Sequence, residues 1–201
     1  MKDNPRTQAA RSAATREALV AAGRALFAAR GFGDVGTEEI VREAGVTRGA
    51  LYHHFADKTE LFAAVFEAVE AEVIGRIGAA IGAAGLTDPV EVMRLAAGAW
   101  LDACAEPEIH RIALIEGPAA LGQVRWREIG DRYGMGVTQG LVAQAIAAGR
   151  IEPQPVPPLA HVLLGALREG ALYLAAADDW PRARREVGAV IDRIILGLGT
   201  G

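Results

Sequence analysis

The sequence predicts an all-α protein, with a small N-terminal three-helix unit and a larger helical C-terminal part. Apolar residues recur at three- and four-residue steps through most of the chain, which is the period of a helix. No stretch of useful length alternates like a strand, and no internal repeat is present. Hydrophobic residues make up 51% of the chain and aromatic residues only 5%. The core must therefore rely on Ala, Leu, Val and Ile, which favours closely packed helices.

The first helix is predicted from Ser12 to Arg30, after a flexible basic arm over residues 1–11. Leu19 and Leu26 recur on one face of this helix at helical spacing. Gly31 follows the last periodic residue, where a glycine commonly ends a helix.

Two short helices joined by a tight turn are predicted next. Thr37 is placed to cap the first helix, and Gly45 to end it. Thr47 is placed to cap the second helix, which turns Leu51 and Phe55 inward at i and i+4. Arginine can read guanine edges, while tyrosine and histidine can reach phosphates, so the outward side chains suit DNA. With the two caps, the predicted DNA contacts are Thr37, Thr47, Arg48, Gly49, Ala50, Tyr52, His53 and His54.

The run AGVTRGALYHHFADKTEL, residues 44–61, resembles the helix-turn-helix of the tetracycline-repressor-like (TetR) transcriptional regulators. The resemblance extends over about residues 12–66, with the helix-turn-helix at about 37–55. It implies a DNA-binding domain over residues 1–56 and a ligand-binding and dimerisation domain over residues 57–201. In one departure, Gly36 and Thr37 stand where the family has a hydroxyl residue followed by an apolar one.

A long helix is predicted from Asp57 to about Ala84. Asp57 and Glu60 have the spacing of a capping box. Lys58 lies in the first turn, where the helix dipole disfavours a cation, so we expect a DNA phosphate beside it. No loop separates this helix from the N-terminal unit, so its movement should affect both parts of the protein.

The rest of the chain is predicted to be helical with short breaks. A helix that begins at Glu106-Pro107 is expected to end at Glu116-Gly117-Pro118. The glycines of the following long helix suggest close crossing of its neighbours, and the proline-rich run from Glu152 to Pro158 suggests a linker. The remaining helices are predicted over Val90–Cys104, Gln123–Arg150, Leu159–Ala177 and Pro181–Leu198.

The C-terminal part is expected to form a homodimer and to hold a small apolar ligand, as the resemblance implies. Its last two helices carry more apolar residues than one flank of a small bundle needs: Leu163, Leu164, Leu167, Leu172, Ile191, Ile194, Ile195 and Leu198. Large or polar residues that interrupt apolar faces are the candidate pocket residues: Trp100, His110, Glu116, Trp126, Tyr133, Arg168 and Tyr173.

Neither a cofactor nor a metal site nor a catalytic residue is predicted. The single cysteine, Cys104, has apolar neighbours and is expected to be a buried structural thiol. His53 and His54 are the only close histidines, and they lie on the predicted DNA-reading helix. The N-terminus lacks the apolar segment of a signal peptide and no stretch is long enough to cross a membrane, which predicts a cytoplasmic, nucleoid-associated protein.

Charge gives weaker guidance on function. The net charge is −4, so the chain as a whole is not a basic nucleic-acid binder. Residues 1–62 nevertheless carry nine Lys and Arg against eight Asp and Glu. The leading hypothesis is a sequence-specific, dimeric repressor that binds operator DNA and is released by its ligand. The alternatives are a helical ligand-binding bundle and a helical enzyme, both without a DNA-dependent role.

Overall fold

The computed structural model describes residues 5–199, and the side chains of residues 8–199. These residues form ten α-helices and one π-helical segment, with one isolated β-bridge between Ile151 and Gly199 and no longer strand among them. The all-α prediction is confirmed. The helices are α1 (Pro5–Arg30), α2 (Thr37–Glu43), α3 (Arg48–His54), α4 (Lys58–Ala84), α5 (Pro89–Ala103), α6 (Pro107–Ile109), α7 (Gly117–Leu121), α8 (Gln123–Ala147), α9 (Val156–Ala175) and α10 (Trp180–Leu196).

The N-terminal helix is longer than its sequence pattern suggested. Helix α1 begins at Pro5 rather than near Ser12, so the prediction of a flexible arm is wrong for residues 5–11. Residues 1–4 of that predicted arm lie outside the described part. Proline suits the first turn of a helix because that position needs no backbone N–H donor.

Helices α2 and α3 form the predicted helix-turn-helix. Gly45 adopts a φ of +66° between them, a conformation that glycine takes without steric cost. Thr47 caps α3, since its side chain accepts a hydrogen bond from the Ala50 N–H at 3.2 Å. The predicted cap of α2 is wrong: Thr37 is the first residue of α2, and Gly36 holds the cap position without a side-chain bond.

Helix α4 runs unbroken from the helix-turn-helix into the C-terminal part. The Asp57 carboxylate caps it by accepting from the Glu60 N–H at 2.8 Å. In a full capping box, the Glu60 carboxylate would also accept from the Asp57 N–H. It accepts instead from two guanidinium nitrogens of Arg125, at 2.7 and 2.8 Å. The helix ends at Gly85, whose φ of +62° is left-handed.

The helix that was expected to end at Gly117-Pro118 continues through it. Helix α6 passes directly into the π-helical segment His110–Glu116, which passes directly into α7. In a regular helix, the ring of Pro118 would clash with the carbonyl four residues earlier. A π-turn is wider than an α-turn, so the backbone can accommodate the proline without breaking.

Two buried clusters form the core. The first extends from α1, α2 and α3 along α4 to the π-helical segment and α8, so the N-terminal unit and the C-terminal part share packing. The rings of Phe27, Phe32 and Phe62 meet within it at centroid distances of 5.3 to 5.8 Å. The second cluster joins α5, the π-helical segment, α8, α9 and α10.

The expectation that the α8 glycines allow close helix crossing holds for one of them. A Cβ on Gly134 would lie 3.3 Å from a methyl group of Leu164 on α9. A Cβ on Gly130 would lie at an ordinary contact distance of 3.9 Å from the Arg168 guanidinium, so Gly130 is not required for a close crossing. Gly136 and Gly140 face open space, so for these two the interpretation is wrong.

Candidate DNA-binding surface and ligand cavity

Helix α3 presents a polar surface opposite its buried side. Leu51 is fully buried and anchors the helix. Arg48, Gly49, Tyr52 and His53 are exposed, in agreement with the outward face that the sequence predicts. Ala50 and His54 are partly buried, and the rings of His53 and His54 meet edge to face at 5.2 Å. The free surface of α3 therefore combines the Arg48 guanidinium, the Tyr52 hydroxyl and the His53 imidazole. Gly49, which has no side chain, lies among them.

An acidic residue that the sequence interpretation overlooked holds Arg48. Glu38 on α2 accepts from the Arg48 guanidinium at 2.8 Å, and both side chains are well exposed. The guanidinium also lies 5.5 Å from the centre of the Tyr52 ring. The neighbouring Tyr52, followed by Glu38, raises the pKa of Arg48 above its usual range. This ion pair holds Arg48 at the surface, but exposed pairs contribute little to stability, so DNA can compete for it.

Lys58 occupies a different environment from the one predicted. Its ammonium donates to the carbonyl oxygens of Phe32 at 2.8 Å and Val35 at 3.0 Å, and lies 4.2 Å from the Phe32 ring centre. The predicted contact of Lys58 with a DNA phosphate stays a prediction. Within the protein, Lys58 fastens the loop between α1 and α2 to the start of α4.

A mainly apolar cavity of about 100 Å³ lies inside the C-terminal part, between α4, α5, the π-helical segment, α8, α9 and α10. Three of the seven predicted pocket residues line it: Trp100, Trp126 and Arg168. The indole N–H of Trp126 donates to the Ala113 carbonyl of the π-helical segment at 2.8 Å. The Arg168 guanidinium donates to Asp131 and lies 5.6 Å from the Trp126 ring centre.

The remaining predicted pocket residues do not line the cavity. Tyr133 packs against the first buried cluster, and Tyr173 is 61% exposed on the outer surface of α9 and α10. His110 is partly buried, with an Nε2 atom that has no hydrogen-bond partner. Each interrupts an apolar helical face, yet a sequence pattern does not specify which side of a helix meets a cavity and which meets solvent.

Glu116 also lies away from the cavity, where it contacts the N-terminal unit. Its carboxylate accepts from the Phe32 N–H at 3.0 Å. It also lies against Gly31, which has a φ of +86° and no room for a Cβ beside this carboxylate. Glu116 thus ties the end of the π-helical segment to the loop that Lys58 fastens from α4.

Glu70 and Cys104 are two further groups that line the cavity. Burial raises the pKa of the Glu70 carboxyl to about 7. Cys104 is buried, as predicted, and burial raises the pKa of its thiol far above the usual range. The raised thiol pKa leaves little reactive thiolate. Glu70 escaped the sequence interpretation, although it follows Phe66 on the apolar stripe of α4 at a four-residue step, which was the available signal.

The described residues contain no group of three His, Cys, Asp or Glu side chains close enough to hold a metal ion. Within residues 5–199, none of the helices combines the length and the apolar character needed to cross a membrane.

Two family descriptions match the chain. "Bacterial regulatory proteins, tetR family" matches residues 19–65, and "Tetracyclin repressor-like, C-terminal domain" matches residues 90–198, more than half of the chain. The chain therefore belongs to the TetR family of bacterial regulatory proteins. The resemblance stated from residues 44–61 is confirmed.

Two named regulators match over part of the chain. AcrR of Shigella flexneri is 38% identical over 80 residues, which are 40% of this chain and 37% of that regulator. The repressor BepR of Brucella suis is 45% identical over 56 residues, 28% of this chain and 27% of that protein. The chain thus aligns with well under two thirds of either regulator. These relatives are transcriptional regulators rather than enzymes, which favours the leading hypothesis over the enzyme alternative.

Solved structures match over nearly the whole chain. A TetR-family transcriptional regulator from Pectobacterium atrosepticum is 32% identical with a TM-score of 0.84, covering 96% of this chain and 97% of that one. RolR, solved in complex with its ligand resorcinol, has a TM-score of 0.75 at 23% identity, covering 92% of this chain and 89% of that one. The second likeness concerns the fold alone.

Proposed function

We propose that this protein is a dimeric, sequence-specific DNA-binding regulator whose affinity for its operator falls when a small ligand enters the cavity. In this proposal residues 1–56 bind DNA and residues 57–201 bind ligand and dimerise. The observation that carries the proposal is α3, a short helix anchored by Leu51 that leaves Arg48, Tyr52 and His53 exposed. Such a helix can enter a major groove and place an arginine at base edges.

Dimerisation is supported by an apolar surface on α9 and α10. Tyr173 is 61% exposed and Val190 52% exposed on either side of a shallow groove between these helices. Ile194 continues the same surface. Residues Leu163, Ile191 and Ile195, by contrast, are buried within the chain, and Leu164 and Leu167 line the cavity. The proposed contact therefore uses the two helices that the sequence predicted, but through their exposed residues rather than those in the core or the cavity.

Release by ligand is supported by the continuity between the cavity wall and the helix-turn-helix. Helix α4 lines the cavity with Phe66 and Val73, and its first residue, Lys58, is bonded to the loop before α2. A second connection runs from Trp126 to the π-helical segment, which reaches the same loop through Glu116. A ligand that favours another arrangement of these elements would move the two recognition helices of a dimer apart. RolR, which shares this fold, binds resorcinol, so a small ring is a reasonable first ligand class.

Selection of bound sequences from random duplexes tests this function. The full chain should enrich one inverted-repeat site, because a two-fold symmetric dimer presents two equivalent copies of α3. Arg48→Ala, which retains the Leu51 anchor, should enrich that site less strongly. Absence of any enriched sequence with the wild-type chain would contradict the proposal and favour a ligand-binding bundle without a DNA-dependent role.

A further inference from the structure

The carboxyl group of Glu70 on α4 lines the cavity and has no partner among the described residues. Among residues 8–199, no hydrogen bond or ion pair joins the Glu70 side chain to another residue, and the influence of Arg168 acts only at longer range. The surroundings of Glu70 include aliphatic side chains such as Val73, Ile77 and Met93. A carboxylate in such a place lacks the water that stabilises its charge, which is why its pKa is raised.

The positive charge in the cavity lining is already neutralised. Arg168 lines the cavity, but its guanidinium donates to Asp131 on α8. When Glu70 is ionised, the set of Glu70, Arg168 and Asp131 therefore carries one negative charge in excess. Cys104, the other titratable residue of the lining, stays a neutral thiol near neutral pH because burial raises its pKa. The charge that is missing from this cavity is a cation.

We propose that Glu70 makes the cavity selective for a small organic amine that is protonated at neutral pH. The ammonium group would pair with the Glu70 carboxylate, and a body no larger than one aromatic ring would fill the apolar space beside Trp100. The cavity volume of about 100 Å³ is comparable with the roughly 150 Å³ apolar cavity that takes up benzene. An indole face such as that of Trp100 also attracts a cation. This inference rests on the proposed function, and it names the ligand class of the same site.

Other ligand classes match the charge of the cavity less well. A hydroxyl group can donate one hydrogen bond to Glu70 but leaves the negative charge uncompensated. A carboxylate ligand would meet the like charge of Glu70, while the guanidinium that could receive it is held by Asp131. Removing a charged group from water without pairing it is costly, so the amine is favoured over both.

Three probes with the same ring separate these classes: benzylamine, benzyl alcohol and benzoate. Their affinities for the full-length protein without DNA are measured by titration calorimetry at pH 8, where Glu70 is ionised. Benzylamine should bind about tenfold or more tightly than benzyl alcohol, as expected for a charge-assisted hydrogen bond, and benzoate least tightly. Equal or tighter binding of benzyl alcohol or benzoate would overturn the inference, and so would the absence of benzylamine binding at millimolar concentration.

A matched pair of variants assigns the preference to Glu70. Glu70→Gln keeps the shape of the side chain and removes its charge, so it should abolish the preference for benzylamine over benzyl alcohol. Glu67→Gln removes the same charge from α4 at a residue that lies outside the cavity and pairs with Arg132. It should leave the preference unchanged. Persistence of the preference in Glu70→Gln would overturn the inference even if benzylamine binds the wild-type protein.

DNA selection by the same preparations separates this inference from the proposed function. Enrichment of an inverted-repeat site together with a preference for the neutral probe would contradict the role of Glu70 and leave the regulator proposal standing. Selective benzylamine binding without any enriched DNA sequence would contradict the regulator proposal and leave the role of Glu70 standing.

Discussion

At the residue scale, Glu38 competes with DNA for the guanidinium of Arg48 on α3. Glu38 holds the Arg48 guanidinium at 2.8 Å in the absence of DNA. Any contact between Arg48 and a base or a phosphate must replace this ion pair. Because both side chains are exposed to solvent, breaking this ion pair costs little.

We therefore expect Glu38→Gln to increase DNA affinity several-fold and to steepen its salt dependence. The substitution frees Arg48 and removes a negative charge that faces the phosphates. Glu43→Gln, at an exposed acid at the end of the same helix, removes one charge without releasing Arg48. Fluorescence anisotropy at several salt concentrations compares the two variants. An equal gain in both would mean that general charge, and not the release of Arg48, governs the affinity.

Glu70 leads to a prediction about stability and pH. Its pKa is about 7 in the folded chain, against an ordinary value of 4.5, so the folded state holds this proton more tightly than the unfolded state. Stability from this group is therefore present below pH 4.5 and is lost as the pH rises to about 7. Of the other titratable groups in the cavity lining, Arg168 stays charged and the Cys104 thiol stays neutral over this range.

Glu70→Gln should remove this loss. The stability of the variant relative to wild type should rise by up to about 3 kcal/mol between pH 4.5 and pH 8. Urea unfolding monitored by circular dichroism at a series of pH values measures the difference, with Glu67→Gln as the control. A difference that does not change with pH would show that the Glu70 carboxyl is well solvated.

At the element scale, the passage from the π-helical segment into α7 depends on Gly117. A Cβ at this position would lie 2.8 Å from a ring carbon of Trp126 and 3.2 Å from the Ile112 carbonyl oxygen. Trp126 is held by its bond to the Ala113 carbonyl, so it cannot easily give way. The glycine is therefore needed for close contact rather than for backbone freedom, since its φ of −53° is helical.

Gly117→Ala should cost about 1–3 kcal/mol of stability, as overpacking of a core does. Gly136→Ala is the matched control on α8, because that glycine faces open space inside a helix. Alanine is the better helix former, so this control should gain about 0.5–1 kcal/mol. Thermal unfolding of both variants measures these two changes in stability. Equal gains would mean that Trp126 moves away freely and that the π-helical segment is not tightly constrained there.

The elements themselves were largely predictable, because their signals are local. Thr47, Asp57 and Gly85 mark helix ends by short-range bonds and backbone conformation, and each lies within one or two residues of its predicted boundary. The bonds that Lys58 and Glu116 make within the protein were not predictable, because their partners are remote: Lys58 bonds carbonyls 23 and 26 residues away, and Glu116 an N–H 84 residues away. Local periodicity contains no information about such contacts.

At the scale of the whole molecule, the α9 and α10 surface should determine the oligomeric state. Val190→Arg places a charge in the exposed groove between α9 and α10, where burial against a second copy would be costly. Sedimentation should then give a monomer at micromolar concentration, whereas we expect a dimer for the wild type. Val124→Arg is the control, since Val124 is exposed at the start of α8, far from this groove in sequence. A monomeric wild type would contradict the proposed interface.

The central claim is that α3 reads DNA sequence, and Arg48→Ala tests it most directly. Affinities are measured on the selected operator and on a scrambled duplex at several salt concentrations. If Arg48 binds a base, the variant should lose about 1–3 kcal/mol on the operator, with little change on scrambled DNA and a nearly unchanged salt slope. An equal loss on both duplexes, with a salt slope shallower by about one phosphate per subunit, would contradict base reading by Arg48.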